Sequence, residues 1–247
     1  MELLEHTHSP LAAEIQLAWP PPPPHVELSG TEVQVWASWL LRPDYDYAAG
    51  LATLSAAERE RSGLFQFERD RKNFIARRAL VRGILGHYLN LEPSCVALQT
   101  EERGKPRLAS PEGDASGRLH FNFSHSRNLG LLAVSRSSPV GVDVERIRPM
   151  PEMEETAANF CSVLENAQFH AAPPEQKLEV FFNIWTRKEA FLKATGEGIA
   201  GALAELDCSV APAPWEFHPL SPAAGFAGTL AVTRGLTAPE CWQWPGF

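Results

Sequence analysis

The residues in this sequence best suited to chemistry are two acids spaced two apart and a third that falls on a separate helix. In Val140-Gly-Val-Asp-Val-Glu145, strand alternation sends Val140, Val142 and Val144 to one face and Gly141, Asp143 and Glu145 to the other. The two carboxylates then stand roughly 6.5–7 Å apart along the backbone. Their side chains can converge on one cation, with Gly141 leaving space beside them. Such oxygen donors suit Mg²⁺ or Mn²⁺. The same pair could instead be an exposed strand face paired with Arg146 and Arg148.

The third acid lies in Phe181-Phe-Asn-Ile-Trp-Thr-Arg-Lys-Glu-Ala-Phe-Leu-Lys-Ala-Thr-Gly196, a helical pattern that ends near Gly196 and Gly198. Trp185, Glu189 and Lys193 recur every fourth residue and share one face. Glu189 and Lys193 either form an ordinary intrahelical ion pair, worth about 0.2–0.5 kcal/mol, or divide the chemistry. In the second case Glu189 adds a carboxylate to the metal and Lys193 donates to a phosphate. Thr100-Glu-Glu-Arg-Gly-Lys-Pro-Arg107 is no Walker loop, because Gln99 replaces the first glycine and Pro106 the required Ser or Thr. It reads as a rigid turn presenting Lys105. In Phe121-Asn-Phe-Ser-His-Ser126, Ser124 and His125 are neighbours and face apart on a strand, which argues against a Ser-His dyad.

Elements that could position these groups recur along the chain. Strands are expected over Thr31–Leu40, Leu119–Phe123 and Leu129–Ser135, the last two flanking a Ser-His-Ser turn, and a helix over Phe74–Leu89. Leu54-Ser-Ala-Ala-Glu58 has the form of a capping box, and Cys161-Ser-Val-Leu-Glu165 repeats it 107 residues later. Phe74 and Phe181 each lie 19 residues beyond the box serine. The repeat implies an α+β fold of two similar lobes with a groove between them, where ligands commonly sit. The expected division is a proline-rich extension (1–29, with Pro20–Pro24 as a stiff spacer), a first lobe (30–139) and a second (140–247).

Composition narrows the class. The 247 residues carry a formal net charge of −8 and are 44% hydrophobic, which is globular. Cys95, Cys161, Cys208 and Cys241 form no C-x-x-C pair, so neither a disulfide scaffold nor a common zinc site is expected. Neither a signal peptide nor a membrane span is evident, and a cytoplasmic protein is expected. The charge is uneven: residues 59–82 are net +5, with Arg59, Arg61, Arg69, Arg71, Lys72, Arg77, Arg78 and Arg82 against three acids. That segment is either a solvated helix face or a phosphate-binding surface. Bulk nucleic-acid binding does not fit the acidic remainder.

Gly141-Val-Asp-Val-Glu145 followed by Trp185-Thr-Arg-Lys-Glu-Ala-Phe-Leu-Lys193 resembles the paired signature of 4′-phosphopantetheinyl transferases of the surfactin-synthetase-activating type. Gly104-Lys-Pro and Phe121-Asn-Phe-Ser-His-Ser126 match two further family motifs in order, so the resemblance covers roughly residues 54–200. It implies a pseudo-twofold fold with coenzyme A in the cleft, and Mg²⁺ on Asp143, Glu145 and Glu189. It further implies Lys193 on the pyrophosphate, with Lys105, Ser124 and His125 contacting coenzyme A. Arg69, and less closely Arg78, resemble a contact to the 3′-phosphate. The implied partner is an apo acyl or peptidyl carrier protein, whose serine hydroxyl receives phosphopantetheine. Glu189 is the candidate base, and a monomer suffices. Such carriers are usually acidic, so an acidic enzyme must dock them locally, and the +5 segment is the expected place. Two alternatives are another Mg²⁺-dependent phosphoryl or nucleotidyl transferase and a non-catalytic module binding coenzyme A or carrier.

Overall fold

A computed structural model describes residues 16–100, 106–109, 119–198 and 203–246. The first half runs through β1 (Val33–Trp39), α1 (Tyr47–Ala52), α2 (Ala56–Gly63) and α3 (Glu68–Leu89). A short antiparallel pair of β2 (Leu98–Thr100) and β3 (Pro106–Leu108) follows, then β4 (His120–Ser126) and β5 (Leu129–Ser135). The second half runs through β6 (Gly141–Arg146), α4 (Met153–Phe160), α5 (Val163–Ala171), α6 (Lys177–Thr195), β7 (Trp215–Leu220), β8 (Phe226–Thr233) and β9 (Glu240–Gln243). Among the described residues no helix is long and apolar enough to cross a membrane.

The architecture is α+β, in four layers. One sheet has the order β4-β5-β1-β9 and the other β6-β8-β7, so each half places its closing hairpin beside its own first strand in the same order. Alternation then assigns the faces. Trp36, Phe121, Leu132 and Val134 meet Leu80, Ile84 and Leu85 of α3 on the outer side of the first sheet. Val33, Val35, Leu129 and Leu131 face Val140, Val142, Val144 and Leu230 of the second sheet. The outer side of that second sheet receives α6, where Ala190 and Ala194 meet Ala231.

The repeat extends to buried charge. Both capping boxes close, Ser55 with Glu58 and Ser162 with Glu165. Each box glutamate also receives a cation from its own long helix: Arg82 reaches Glu58 at 2.8 Å, and Lys188 reaches Glu165 at 2.7 Å. Arg82 donates onward to the carbonyls of Pro93 and Val96 at 3.2 and 2.8 Å. Lys188 donates to the carbonyls of Leu203 and Leu206. Those carbonyls bracket two equivalent 3₁₀ turns, Pro93–Cys95 and Leu203–Glu205. One cation thus pins a helix, a cap and a turn together in each half.

Three expectations are corrected. The Ser-His-Ser segment is no turn: β4 runs through to Ser126, and the chain reverses at Arg127 and Asn128, Arg127 taking the left-handed conformation at φ 55°. Residues before 30 are not a separate extension where they are described. Leu28 is buried in the first core, and Ala18 N–H donates to the Pro222 carbonyl at 2.8 Å. Nor does the second lobe keep all its chain. β9 pairs in parallel with β1 of the first sheet, and Gln243 N–H donates to the Pro20 carbonyl at 2.8 Å. Gln34 holds this junction by donating to Glu240 at 2.8 Å and to the Glu27 carbonyl at 2.7 Å.

Candidate active site

Gly141 decides where the carboxylates meet the helix. A Cβ there would fall 2.0 Å from the Ala190 carbonyl oxygen and 2.5 Å from the Ala194 nitrogen. The expectation that Gly141 clears room for a ligand is therefore corrected: the backbone of α6 fills that room. Because Ala190 and Ala194 lie against β6, their sequence neighbours Glu189 and Lys193 arrive beside Asp143. Trp185, the third residue of that expected face, is drawn into the apolar cluster under α4 and stacks on Phe160 with centroids 4.4 Å apart.

Lys193 Nζ donates to Asp143 Oδ1 at 2.6 Å and to Ser124 Oγ at 3.0 Å, while Ser124 donates to the same Asp143 oxygen at 2.7 Å. Ser126 repeats the pattern one step along the strand, donating to Glu145 Oε2 at 2.6 Å. Asn122 completes the series by accepting from Val142 N–H at 2.9 Å. Thus Asn122, Ser124 and Ser126, alternate residues of β4, join the two sheets along their shared edge by side chains in place of a backbone ladder. Burial pushes the Asp143 carboxyl up from its ordinary range, against the pull of Lys193 and Ser124. Burial likewise raises Glu145 and Glu189, and the charge of Asp143 raises both further. Glu189 is 9% exposed and feels Glu145 as well, so the three acids share one electrostatic site.

The donor set fits a hard divalent cation. Asp143 Oδ2 is buried without a hydrogen-bond partner, an orphan acceptor that a cation would satisfy. As placed, no group of three His, Cys, Asp or Glu side chains among the described residues closes around a point as metal ligands do. The ammonium of Lys193 instead neutralises Asp143.

The opposite face of β4 points to α3. His125 Nε2 lies 2.7 Å from Arg77 Nη1, and the imidazole stacks on Phe123 with centroids 5.8 Å apart. Ser124 and His125 therefore serve different layers, as alternation requires, and form no dyad. His125 keeps an exposed edge, but desolvation of the part of the ring packed against its neighbours, with the charges of Arg77 and Lys193, pushes its pKa down to about 4. Of the expected site residues, the structure gathers Asp143, Glu145, Glu189, Lys193 and Ser124, with His125 at their edge. It does not gather Arg69, which is exposed on the first turn of α3, about 12 Å along the helix from Arg77. Arg78 lies 3.6 Å from Glu58 and over the Phe74 ring, engaged within its own half. Lys105 lies outside the described residues. Sequence reasoning missed Arg77, Ser126 and Asn122. The two β4 residues were signalled by alternation from Ser124, whereas nothing marks Arg77 out from the other seven cations of its segment.

Two family models match the chain: the 4′-phosphopantetheinyl transferase superfamily over residues 139–226 and 4′-phosphopantetheinyl transferase, N-terminal, over residues 38–137. The chain is 38% identical to the 4′-phosphopantetheinyl transferase HetI of Nostoc sp. over 241 residues, 93% of this chain and 100% of that protein. It is 28% identical to the 4′-phosphopantetheinyl transferase Sfp of Bacillus subtilis, covering 61% of this chain and 63% of that one. It is also 28% identical to the human L-aminoadipate-semialdehyde dehydrogenase-phosphopantetheinyl transferase, covering 74% of this chain and 59% of that one.

Proposed function

Because the chain belongs to the 4′-phosphopantetheinyl transferase superfamily, we propose that it transfers 4′-phosphopantetheine from coenzyme A to a serine hydroxyl of an apo carrier protein, releasing 3′,5′-ADP. The observation that carries this reading is the meeting of buried Asp143 and Glu189 with half-buried Lys193, Glu145 beside them, at the shared edge of the two sheets. Asp143, Glu145 and Glu189 would hold a divalent cation, Mg²⁺ or Mn²⁺, which when bound supplies positive charge to pyrophosphate oxygens. The site draws on both halves of one chain, so a monomer suffices. Residues 30–139 supply His125 and residues 140–247 the carboxylates and Lys193.

The carrier serine oxygen attacks the β-phosphorus of coenzyme A. A new oxygen–phosphorus bond forms, the bond to the bridging oxygen breaks, and that oxygen leaves with its electron pair on 3′,5′-ADP. A serine hydroxyl is a weak nucleophile at neutral pH and must lose its proton as it attacks. Glu189, whose carboxyl is raised by burial, accepts that proton at an Oε atom. Lys193 and the imidazole N–H of His125 donate to phosphoryl oxygens as charge moves onto the leaving group. Ser124 and Ser126 hold Asp143 and Glu145 in place from the neighbouring strand.

The test is intact-mass measurement of an apo carrier incubated with the protein, coenzyme A and Mg²⁺. A gain equal to phosphopantetheine is expected, and it is absent if the chain is another phosphoryl transferase or only binds its ligands. Glu189→Gln is expected to lower turnover by about 10²–10³ while leaving coenzyme A affinity nearly unchanged. Near-normal turnover removes Glu189 from the mechanism.

A further inference from the structure

We infer that Arg77 is a positioning residue that locks His125 in the tautomer with its proton on Nδ1, which makes the histidine a hydrogen-bond donor at the edge of the acidic site and excludes it as a base. The 2.7 Å contact joins Arg77 Nη1 to His125 Nε2. A guanidinium has only donors and keeps its charge in proteins, so the nitrogen it meets must present a lone pair. With Nε2 occupied as the acceptor, the ring proton resides on Nδ1, which has no hydrogen-bond partner among the described residues. The ring is held from other directions too. Phe123 stacks on it, and its register partner on β5 is Gly130, which has no side chain to compete for the ring.

The charges facing this histidine reinforce the assignment. Arg77 approaches from α3 and Lys193 from α6, both opposing a second proton on the ring. Across β6, Asp143 and Glu145 are bonded to Ser124 and Ser126, whose side chains leave the other face of the strand. The imidazole consequently stays neutral through the physiological range, with its pKa pushed down to about 4. Arg77 itself has no carboxylate within ion-pair distance among the described residues, so its donors are not diverted from the ring.

The tautomer stands by itself, whereas its consequence for catalysis rests on the proposed transfer reaction. Imidazole ¹⁵N NMR of the full chain reads the first without any activity. In the unmodified protein the His125 Nε2 signal is expected to be that of an unprotonated acceptor, unchanged from pH 5.5 to 8. In Arg77→Met the proton is expected to move to Nε2 and the ring to titrate about two units higher, nearer an ordinary histidine. A protonated Nε2 in the unmodified protein overturns the inference, and so does an identical spectrum and titration in Arg77→Met. If the Met variant does not fold, the unmodified spectrum still decides. With an active enzyme, Arg77→Met is expected to raise KM for coenzyme A about fivefold with a smaller change in kcat, and Arg77→Lys to recover part of it. Unchanged KM in an active Met variant removes the catalytic consequence, while absence of any transfer by the unmodified protein fails the reaction and leaves the tautomer standing.

Discussion

Lys188 and Glu165 are fully buried, and every one of their charged atoms is used: the ammonium serves Glu165 and two carbonyls, and the carboxylate serves Ser162 N–H and Cys208 N–H. Removing one partner strands the other charge away from water, which costs about 3–5 kcal/mol, whereas replacing both with apolar groups can be close to neutral. Lys188→Met is therefore expected to lower the urea midpoint sharply, and Lys188→Met with Glu165→Leu to recover much of it. Equal loss in the two variants would show that the hydrogen bonds to the turn matter more than the pairing. At this scale Asp143, Glu145, Glu189 and Lys193 were legible in sequence because period two and period four fix which side chains share a face. Lys188 was not. It sits inside the same helical segment, and only the fold shows that its face turns inward to a glutamate 23 residues earlier.

At the scale of elements, the crossing of α6 on β6 rests on the missing side chain of residue 141. Gly141→Ala places a methyl group against the helix backbone at 2.0 Å, a collision that no rotamer relieves. Overpacking of this kind costs about 1–3 kcal/mol or more, and it moves Glu189 and Lys193 away from Asp143. Thermal unfolding should shift downward, and transfer activity should fall further than stability alone explains. A fully active, equally stable Ala variant would mean that the helix can slide without loss. Helices were found in the sequence but entered late: α3 begins at Glu68 and α6 at Lys177, while the apolar pattern opens at Phe74 and Phe181. The first turn of α3 is exposed or half-buried and carries Glu68 and Asp70, favoured there by the helix dipole, so hydrophobic periodicity has little to register, whereas the first turn of α6 sets only the half-buried Leu178 and Val180 against the core beside Glu179. The serine-rich stretch was misread for a related reason. Ser124 and Ser126 look like turn residues until the carboxylates that consume their hydroxyls are known.

For the whole molecule, a net charge of −8 opposes encounter with an acidic carrier, so any attraction has to be local. Residues 59–82 carry +5 and include exposed Arg59 and Arg61, next to the exposed apolar side chains of Leu64 and Phe67. Reversing the charge of two of Arg59, Arg61 and Arg71 is expected to slow association with carrier and flatten its dependence on salt. An unchanged salt dependence places the dock elsewhere. The internal repeat was legible because each half keeps its capping box, a local signal of four residues. The swap at the far end was not, because a strand that pairs with a distant partner carries no local mark of where it goes.

That swap bears on how the protein is made. The first sheet contains strands from the opening half of the chain, but its outermost position is taken by Glu240–Gln243, and Gln34 reaches a partner 206 residues away. While the polypeptide emerges from the ribosome, β1 has one flank of backbone amides and carbonyls with nothing to bond. An uncovered flank of that kind recruits strands from other nascent copies, and so distant a closure is slow. Until β9 is made, that flank of β1 stays open to pairing with the wrong partner.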